Sequence, residues 1–340
     1  LARIALDAMG GDHAPAAPVA GALLALAELP GDLHVQLVGH ADAIRRTIDA
    51  HLASTQGSNA RLLDRLEVIE APDVIDMSDK PSAVMRGKQG SSMHVGLRMQ
   101  VEGTSDGFVS AGNTGAQMAI SSLILKLHAG LSRPAISTLF PTALRPIVVL
   151  DSGANVDCSA EELVQFARLG AVYAEDVLGR ENAVIGLLSI GEEAEKGNLV
   201  VKEAHQLLLH SGLNFQGNVE GRDLPAGASD RGPLDVVVCD GFVGNVLLKF
   251  YEAVAPMLLG LASKHAGMTK DQIAHAFNDL DYSEHGGAPL LGVKGISIIS
   301  HGKSDARAIK NAIKAATRAV DSRMNEHIGR RLRAAAESLS

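Results

Sequence analysis

Short runs of branched apolar residues alternate along this chain with longer stretches in which apolar positions recur every three or four residues. The first pattern is that of a buried strand and the second that of an amphipathic helix. Their strict alternation predicts parallel strands joined by crossover helices. Strands are expected at 3–8 (RIALDA), 33–38 (LHVQLV), 66–70 (LEVIE), 106–109, 135–140, 146–151, 183–190 (AVIGLLSI), 235–239 and 296–300. Helices are expected at 16–28, 41–52, from Ser92, at 116–128, after the capping-box pair Ser159 and Glu162, at 199–211, and near the C-terminus. Between AISTLF and PIVVLD the turn PTALRP allows a hairpin that breaks the parallel order. Residues 250–280 read as two helices meeting near Gly267, with Tyr251, Val254, Met257, Leu258 and Leu261 on one face. That face either packs in a core or meets a membrane or partner. Residues 326–340, basic and then rich in Ala and Ser, are expected to fray.

Polar residues concentrate in glycine-rich turns between a strand and the next helix, and 235–249 (DVVVCDGFVGNVLLK) shows the design most clearly. Asp235 to Cys239 is a strand, Asp240, Gly241 and Gly244 lie in a tight turn, and helical spacing resumes at Asn245. Glycines there allow unusual backbone angles, and the first helical amides are expected to face an anion outside the strand end. Related turns hold Gly10, Gly11, Asp12 and His13, then Ser110, Gly112, Asn113 and Thr114, then Asn155, then Lys196, then His285 and His301. In a doubly wound sheet such turns gather along one edge. Each also has a plain reading. His13 is solvated in a simple connection, Ser110, Asn113 and Thr114 cap a helix, and Glu192, Glu193 and Glu195 form a solvated acidic turn rather than an acid pair or metal site. Lys196, beside a glycine at a strand-to-helix junction, is placed to neutralise a phosphate. Cys158, near a helix start, is either a nucleophile or structural. Lys80, Arg86 and Lys88 form either a solvated face or a docking patch for an acidic partner.

Composition narrows these options. The 340 residues are 46% hydrophobic but only 3% aromatic, with no tryptophan, so Ala, Val, Ile and Leu must build the core, and base stacking is not expected. A net charge of −8 argues against general nucleic-acid binding. Two cysteines make no disulfide framework, and no Cys/His cluster has zinc spacing. No metal and no cofactor is expected. Without a charged leader or an apolar run near ~18 residues, a cytoplasmic protein is expected.

Together the turns are specific. DAMGGDHAP, SAGNTGA, LDSGANVDC, GEEAEKGN, GNVEGRD, CDGFVGNVLLK, HGGAPLLG and SHGKSD, over about residues 3–325, resemble the bacterial phosphate acyltransferases of phospholipid synthesis. The resemblance implies a Rossmann-like α/β/α sandwich with a mostly parallel sheet, similar to phosphotransacetylases and the isopropylmalate dehydrogenase group. It implies one α/β domain over 1–325, including the helical hairpin at 250–280, with 326–340 as a tail. It further implies transfer of a long-chain fatty acyl group from acyl carrier protein to inorganic phosphate by a homodimer. Lys196 and Asn245 are then the catalytic pair, one neutralising phosphate and the other donating to the carbonyl oxygen, a donor worth roughly 3 kcal/mol. Asp7, Gly10, Gly11, Asp12, His13, Ser110, Gly112, Asn113, Thr114, Asn155, Asp240, Gly241, Gly244, His285 and His301 become the polar wall of the substrate and phosphate site. Lys80, Arg86, Lys88, Lys264 and Lys270 become candidates for docking the acidic carrier. The segment after Lys249 (LASKHAGMTKDQIAHAF) is short and polar for the membrane-linked hairpin of some family members, so only transient contact with a membrane or with glycerol-3-phosphate acyltransferase is expected. Three alternatives remain at this stage. They are a phosphotransacetylase using coenzyme A thioesters, an NAD-dependent decarboxylating dehydrogenase of related fold, which would need a metal-binding set of aspartates where the sequence shows only scattered turn residues, and a non-catalytic scaffold of lipid synthesis.

Overall fold

The computed structural model describes residues 2–29, 31–54, 60–265 and 286–337. His285, Lys270 and the second half of the expected 250–280 hairpin lie outside the described residues. The chain forms two compact α/β units, one from residues 1–129 and 285–329, the other from 130–284 and 330–340.

In the first unit the strands lie in the spatial order Leu66–Glu70, Leu33–Gly39, Ala2–Asp7, Gly107–Ser110, Ser297–Ile299 and Ala288–Leu291. The first five run parallel, with Ile4 opposite Val35 on one side and Gly107 on the other. The last strand is antiparallel. Ile4, Leu6, Val35, Leu37 and Phe108 are all fully buried, as strands covered on both faces require. Helices Ala16–Glu28 and Ala306–Asp321 approach closely at Gly21, where a Cβ would lie 2.5 Å from that of Ile309.

The second unit orders its strands Thr138–Phe140, Ile147–Leu150, Val236–Val238, Ile185–Leu188 and Phe215–Val219. Three pairings are parallel, and the first is the antiparallel hairpin that PTALRP allows. Its core gathers Phe140, Ile147, Val149, Val219, Leu234 and Val237. The helix Ala160–Asp176 opens with the expected capping box of Ser159 and Glu162.

Four local readings change. The strand Ala288–Leu291 and the short helix Pro81–Gly87 are added. The long helix begins at Gly241 rather than Asn245, because the Asp240 carboxylate accepts the Val243 amide at 2.8 Å and caps the earlier turn. The C-terminal stretch expected to fray is helical over Met324–Glu337. Met324, Ile328 and Leu332 recur every four residues and are buried, and Arg331 pairs with Glu175. Finally, the apolar face expected from Tyr251 to Leu261 divides. Tyr251 packs edge-on against Phe140 at 5.3 Å and donates its hydroxyl to the Pro141 carbonyl, whereas Met257, Leu258 and Leu261 are exposed.

Candidate active site

Three turns of the first unit follow neighbouring parallel strands and therefore meet at their carboxyl ends. Asp7 closes its strand fully buried. It accepts the Ser110 hydroxyl at 2.7 Å and the Met9 amide at 3.0 Å. Burial raises the Asp7 carboxyl above the usual carboxylate range, and the hydrogen bonds from Ser110, Ser92, Met9 and Gly10 oppose that rise. Ser110 in turn accepts the Gly112 amide at 2.9 Å. At Gly10 a Cβ would collide with the Asp7 carboxylate and the Gly112 amide, and Gly11 sits at φ +100, so the turn needs both glycines for different reasons. The Asp12 amide donates to the Gly302 carbonyl at 2.7 Å, and the Ser300 amide donates to the Ser110 carbonyl at 2.8 Å, which clips the three turns together.

Asn113 is the hub of this cluster. Its Oδ1 accepts the Ala116 amide at 3.0 Å, capping the helix Thr114–Ile124. Its Nδ2 donates to the carbonyls of Asp76, Met77 and Asp79 at 3.0 to 3.3 Å. The helix-capping reading therefore describes Asn113, whose amide is fully engaged with the chain itself. Asp12, His13, Thr114 and His301 remain exposed around the cluster, with His301 Nδ1 accepting the Lys303 amide at 3.1 Å.

The proposed docking patch divides as well. Lys80 and Arg86 are exposed, as is Lys264 in the other unit. Lys88 is not available to a partner. Its ammonium donates to the Val74 carbonyl at 2.7 Å and to Asp76 and Asp79 at 3.3 and 2.5 Å. The Asp79 contact is the main reason the Lys88 pKa is raised and that of Asp79 lowered. Three acceptors on one side of a loop hold the cation inward.

In the second unit the organising residue is one the sequence reading passed over. Asp151, at the end of Ile147–Leu150, is buried, and its Oδ1 accepts the amides of Ile136, Gly153 and Ala154 at 3.0 to 3.3 Å. Its Oδ2 accepts the Asn155 amide at 2.6 Å and the Asn155 side chain at 2.9 Å. Burial raises its carboxyl too, against these donors. The only signal in the sequence was an acid ending an apolar run before a glycine turn, which many connections share. Asn155 also donates to the Pro134 carbonyl at 2.8 Å, so it fixes this loop rather than presenting its amide outward.

The helix Gly241–His265 starts against that loop. A Cβ on Gly241 would lie 2.7 Å from the Asp151 carboxylate, and one on Gly244 would run into the Asp151 carbonyl. Neither glycine has a positive φ. They are needed for close approach, which corrects the expectation of unusual backbone angles. The first helical amides are not all free for an anion either. Gly241 donates to the Asn155 carbonyl at 2.7 Å and Val243 to the Asp240 carboxylate.

Two side chains differ from all of these. Asn245 is exposed in the first turns of the helix, its Cγ 3.5 Å from the Cβ position of Gly153, and no hydrogen-bond partner of its amide lies among the described residues. Lys196 is exposed in the turn after Ile185–Leu188, held through its amide to the Glu193 carbonyl at 3.0 Å. No carboxylate pairs with its ammonium among the described residues, while neighbouring Glu192 is taken by Arg222 at 3.2 Å. Cys158 is half-buried, its thiol directed to the Asn155 carbonyl at 3.5 Å. Burial pushes it up to about 12, only partly opposed by the Gly241 amide, so it is no nucleophile near neutral pH.

Among the described residues, Lys196 offers a cation, Asn245 offers an amide donor, and Cys158 offers no thiolate near neutral pH. That set suits attack by an oxyanion on a carbonyl, with a leaving group that needs no proton. The family model described as fatty acid synthesis protein matches residues 2–327. Phosphate acyltransferases from Desulforamulus reducens and Desulfitobacterium hafniense are 46% and 44% identical to the chain, the first covering 94% of both chains and the second 97% of both. Among solved structures, a phosphotransacetylase from Streptococcus pyogenes shares the fold, with a TM-score of 0.59 at 18% identity over 94% of each chain. A phosphotransacetylase from Staphylococcus aureus also scores 0.59, at 16% identity over 93% of this chain and 94% of its own. This chain belongs to the phosphate acyltransferase family and is an acyltransferase.

Proposed function

We propose that the acyl group this enzyme transfers to phosphate is a long-chain fatty acyl group carried as a thioester on acyl carrier protein, and that the acyl phosphate formed feeds phospholipid synthesis. In this reading Lys196 holds inorganic phosphate and Asn245 donates to the thioester carbonyl oxygen. A phosphate oxygen attacks the carbonyl carbon, and a C–O bond forms while the carbonyl oxygen becomes anionic. The C–S bond then breaks, and the carrier thiolate leaves with the electron pair. A thiolate is a good leaving group, so no general acid is required, and no acyl-enzyme forms. In the first unit, exposed Asp12, His13, Thr114 and His301 are the groups left to bind substrate, and residues 1–325 make up the catalytic part of the chain.

The observation that carries this reading is the unengaged amide of Asn245 beside Gly153, on a helix whose Gly241, Val243 and Gly244 backbone amides are committed to the chain. A preorganised donor of this kind is worth about a hundredfold to a thousandfold in rate. Exposed Lys80, Arg86 and Lys264 supply positive charge for an acidic carrier. The enzyme works as a homodimer in the cytoplasm, with transient contact at the inner face of the membrane or with glycerol-3-phosphate acyltransferase. No helix among the described residues is long and apolar enough to cross a membrane.

The test is acyl phosphate formation from palmitoyl-acyl carrier protein and inorganic phosphate, with wild type, Lys196→Ala and Asn245→Ala compared at equal folding. Product from wild type that falls sharply in both variants is the expected result. A preference for acetyl-coenzyme A over the carrier thioester would replace this reading with that of a short-chain phosphotransacetylase.

A further inference from the structure

A lysine that meets an anion from an exposed turn is placed only as well as the turn that carries it. Both ends of the 189–198 turn are fixed. The Ser189 amide donates to the Val219 carbonyl at 2.8 Å, and Asn198 accepts the Val201 amide at 2.9 Å, capping the helix Leu199–Leu209. Between these ends the Lys196 amide donates to the Glu193 carbonyl at 3.0 Å. That carbonyl has a second donor. Asn218, in the stretch GNVEGRD on the neighbouring parallel strand, donates its Nδ2 to it at 2.8 Å.

Asn218 is only 1% exposed, and its Oδ1 lies 2.9 Å from Nδ1 of His205, itself 5% exposed on the helix into which the turn leads. A carbonyl only accepts, so the amide must present Nδ2 to Glu193 and Oδ1 to the imidazole, and His205 must carry a proton on Nδ1. One orientation satisfies all three groups. The ring is held in its turn edge-on against Phe215 at 5.2 Å. Arg222 and Arg231 also reach this turn, at the Glu192 carboxylate (3.2 Å) and the Glu192 carbonyl (3.3 Å), but these contacts lie at the surface, where water competes. The Asn218 contact comes instead from a buried side chain on a strand of the sheet, where an amide left without partners would be costly.

We propose that Asn218, oriented by His205, is a positioning residue for Lys196: the relay from His205 through Asn218 to the Glu193 carbonyl holds the turn where the ammonium meets phosphate. The inference rests on the proposed role of Lys196 and adds what fixes its place. Losing one hydrogen bond of this kind shifts a local equilibrium by about tenfold, so the turn would hold its binding position about a tenth as often. Apparent affinity for phosphate falls by that same factor, and saturating phosphate draws the turn back. The KM for phosphate therefore rises while kcat is kept. A residue that merely stabilised the unit would do the reverse, lowering the amount of folded enzyme and leaving KM unchanged.

The experiment uses the full chain and two readouts: acyl phosphate formation from palmitoyl-acyl carrier protein across phosphate concentrations, and amide hydrogen exchange over 189–198 with and without inorganic phosphate. Asn218→Asp keeps the size and the acceptor for His205 but removes the donor to Glu193. It should raise the KM for phosphate about tenfold with kcat within about twofold, and speed exchange over 189–198 about tenfold while leaving 199–209 unchanged. His205→Leu should move both readouts the same way. His205→Asn, whose amide can put an N–H close to where Nδ1 stood, should return them toward wild type. Asn214→Asp makes the same chemical change at the other end of that strand, where an exposed amide donates to the Asn182 carbonyl at 2.8 Å, and should change neither. An unchanged KM for phosphate in Asn218→Asp, or a loss of rate that only follows a fall in melting temperature, would make Asn218 scaffold and overturn the relay. Exchange separates this claim from the reaction. Wild type that turns over no carrier thioester, yet whose 189–198 exchange is slowed by about tenfold less phosphate than Asn218→Asp needs, would remove the proposed function and keep the relay. Exchange that responds neither to phosphate nor to Asn218→Asp would end the relay as well.

Discussion

The turns around Ser110 and Asn113 in one unit and those around Lys196 and Asn245 in the other read alike, each a polar, glycine-bearing link from strand to helix. Their polar atoms have opposite fates. Asp7, Ser110 and Asn113 are buried and hydrogen-bonded to one another's loops, whereas Lys196 and Asn245 are exposed with no partner for their charged and amide ends among the described residues. The first group is scaffold, since burying such groups without partners would be costly. The second is held ready at no such cost, because water satisfies it until a substrate arrives. Two glycines make the same distinction inside the second unit: Gly241 and Gly244 exist to bring the helix onto the Asp151 loop, and so place Asn245.

The most severe test of this contrast is Lys196→Ala. Acyl phosphate formation should fall about a thousandfold or more in kcat/KM, through loss of the charge that holds phosphate, with the melting temperature unchanged. A large drop in melting temperature would move Lys196 into the scaffold. Asn245→Ala comes next, with a loss of about a hundredfold to a thousandfold, mostly in kcat if the amide acts on the developing oxyanion. A change confined to KM would show an amide that binds substrate and transition state equally.

How much of this was visible in the sequence follows from which contacts are local. The alternation of apolar runs with helical spacing is a local property, and it located the strands around Ile4, Val35, Val149 and Val237 and the hairpin before Ile147. Capping at Ser159 is local too. By contrast Ala288–Leu291 is only four residues long, starts directly after two glycines and contains a proline. It became a strand by pairing in the sheet, with Ser297–Ile299 beside it, which nothing in its own composition announces. The site divides in the same way. Lys196 and Asn245 stand out through motif wording, but the roles of Asn113 and Lys88 depend on carbonyls and carboxylates of the 74–79 loop, up to 37 residues away. Asp151 gathers donors from as far as Ile136, a bookkeeping of buried hydrogen bonds that only the folded chain displays.

On the scaffold side, Asn113→Ala should mirror the two catalytic variants. It removes a helix cap and leaves three carbonyls of the 76–79 loop without their donor, which should destabilise the first unit by about 2 kcal/mol. In a thermal melt that corresponds to a fall of about 6 °C. Turnover per folded molecule should drop by far less than in Asn245→Ala. A loss in rate of a hundredfold with no change in melting would instead make Asn113 a second donor to the substrate, and the contrast between the two units would fail.

The smallest effect is expected at Cys158, and its smallness is informative because the residue sits within the Asp151 loop system, bonded to the Asn155 carbonyl. A covalent route would require its thiolate. With the thiol pushed up to about 12 by burial, only about one molecule in ten thousand is ionised at pH 8, since the group stays protonated at every pH well below its pKa. Cys158→Ala should therefore keep kcat/KM within twofold, and wild type should retain its activity through incubation with iodoacetamide at pH 8. Inactivation by the reagent that is absent in Cys158→Ala would show a more accessible thiol lying against the substrate. A large loss of rate in Cys158→Ala itself, at unchanged melting temperature, would restore the acyl-enzyme route and displace Asn245 and Lys196 from sole charge of the chemistry.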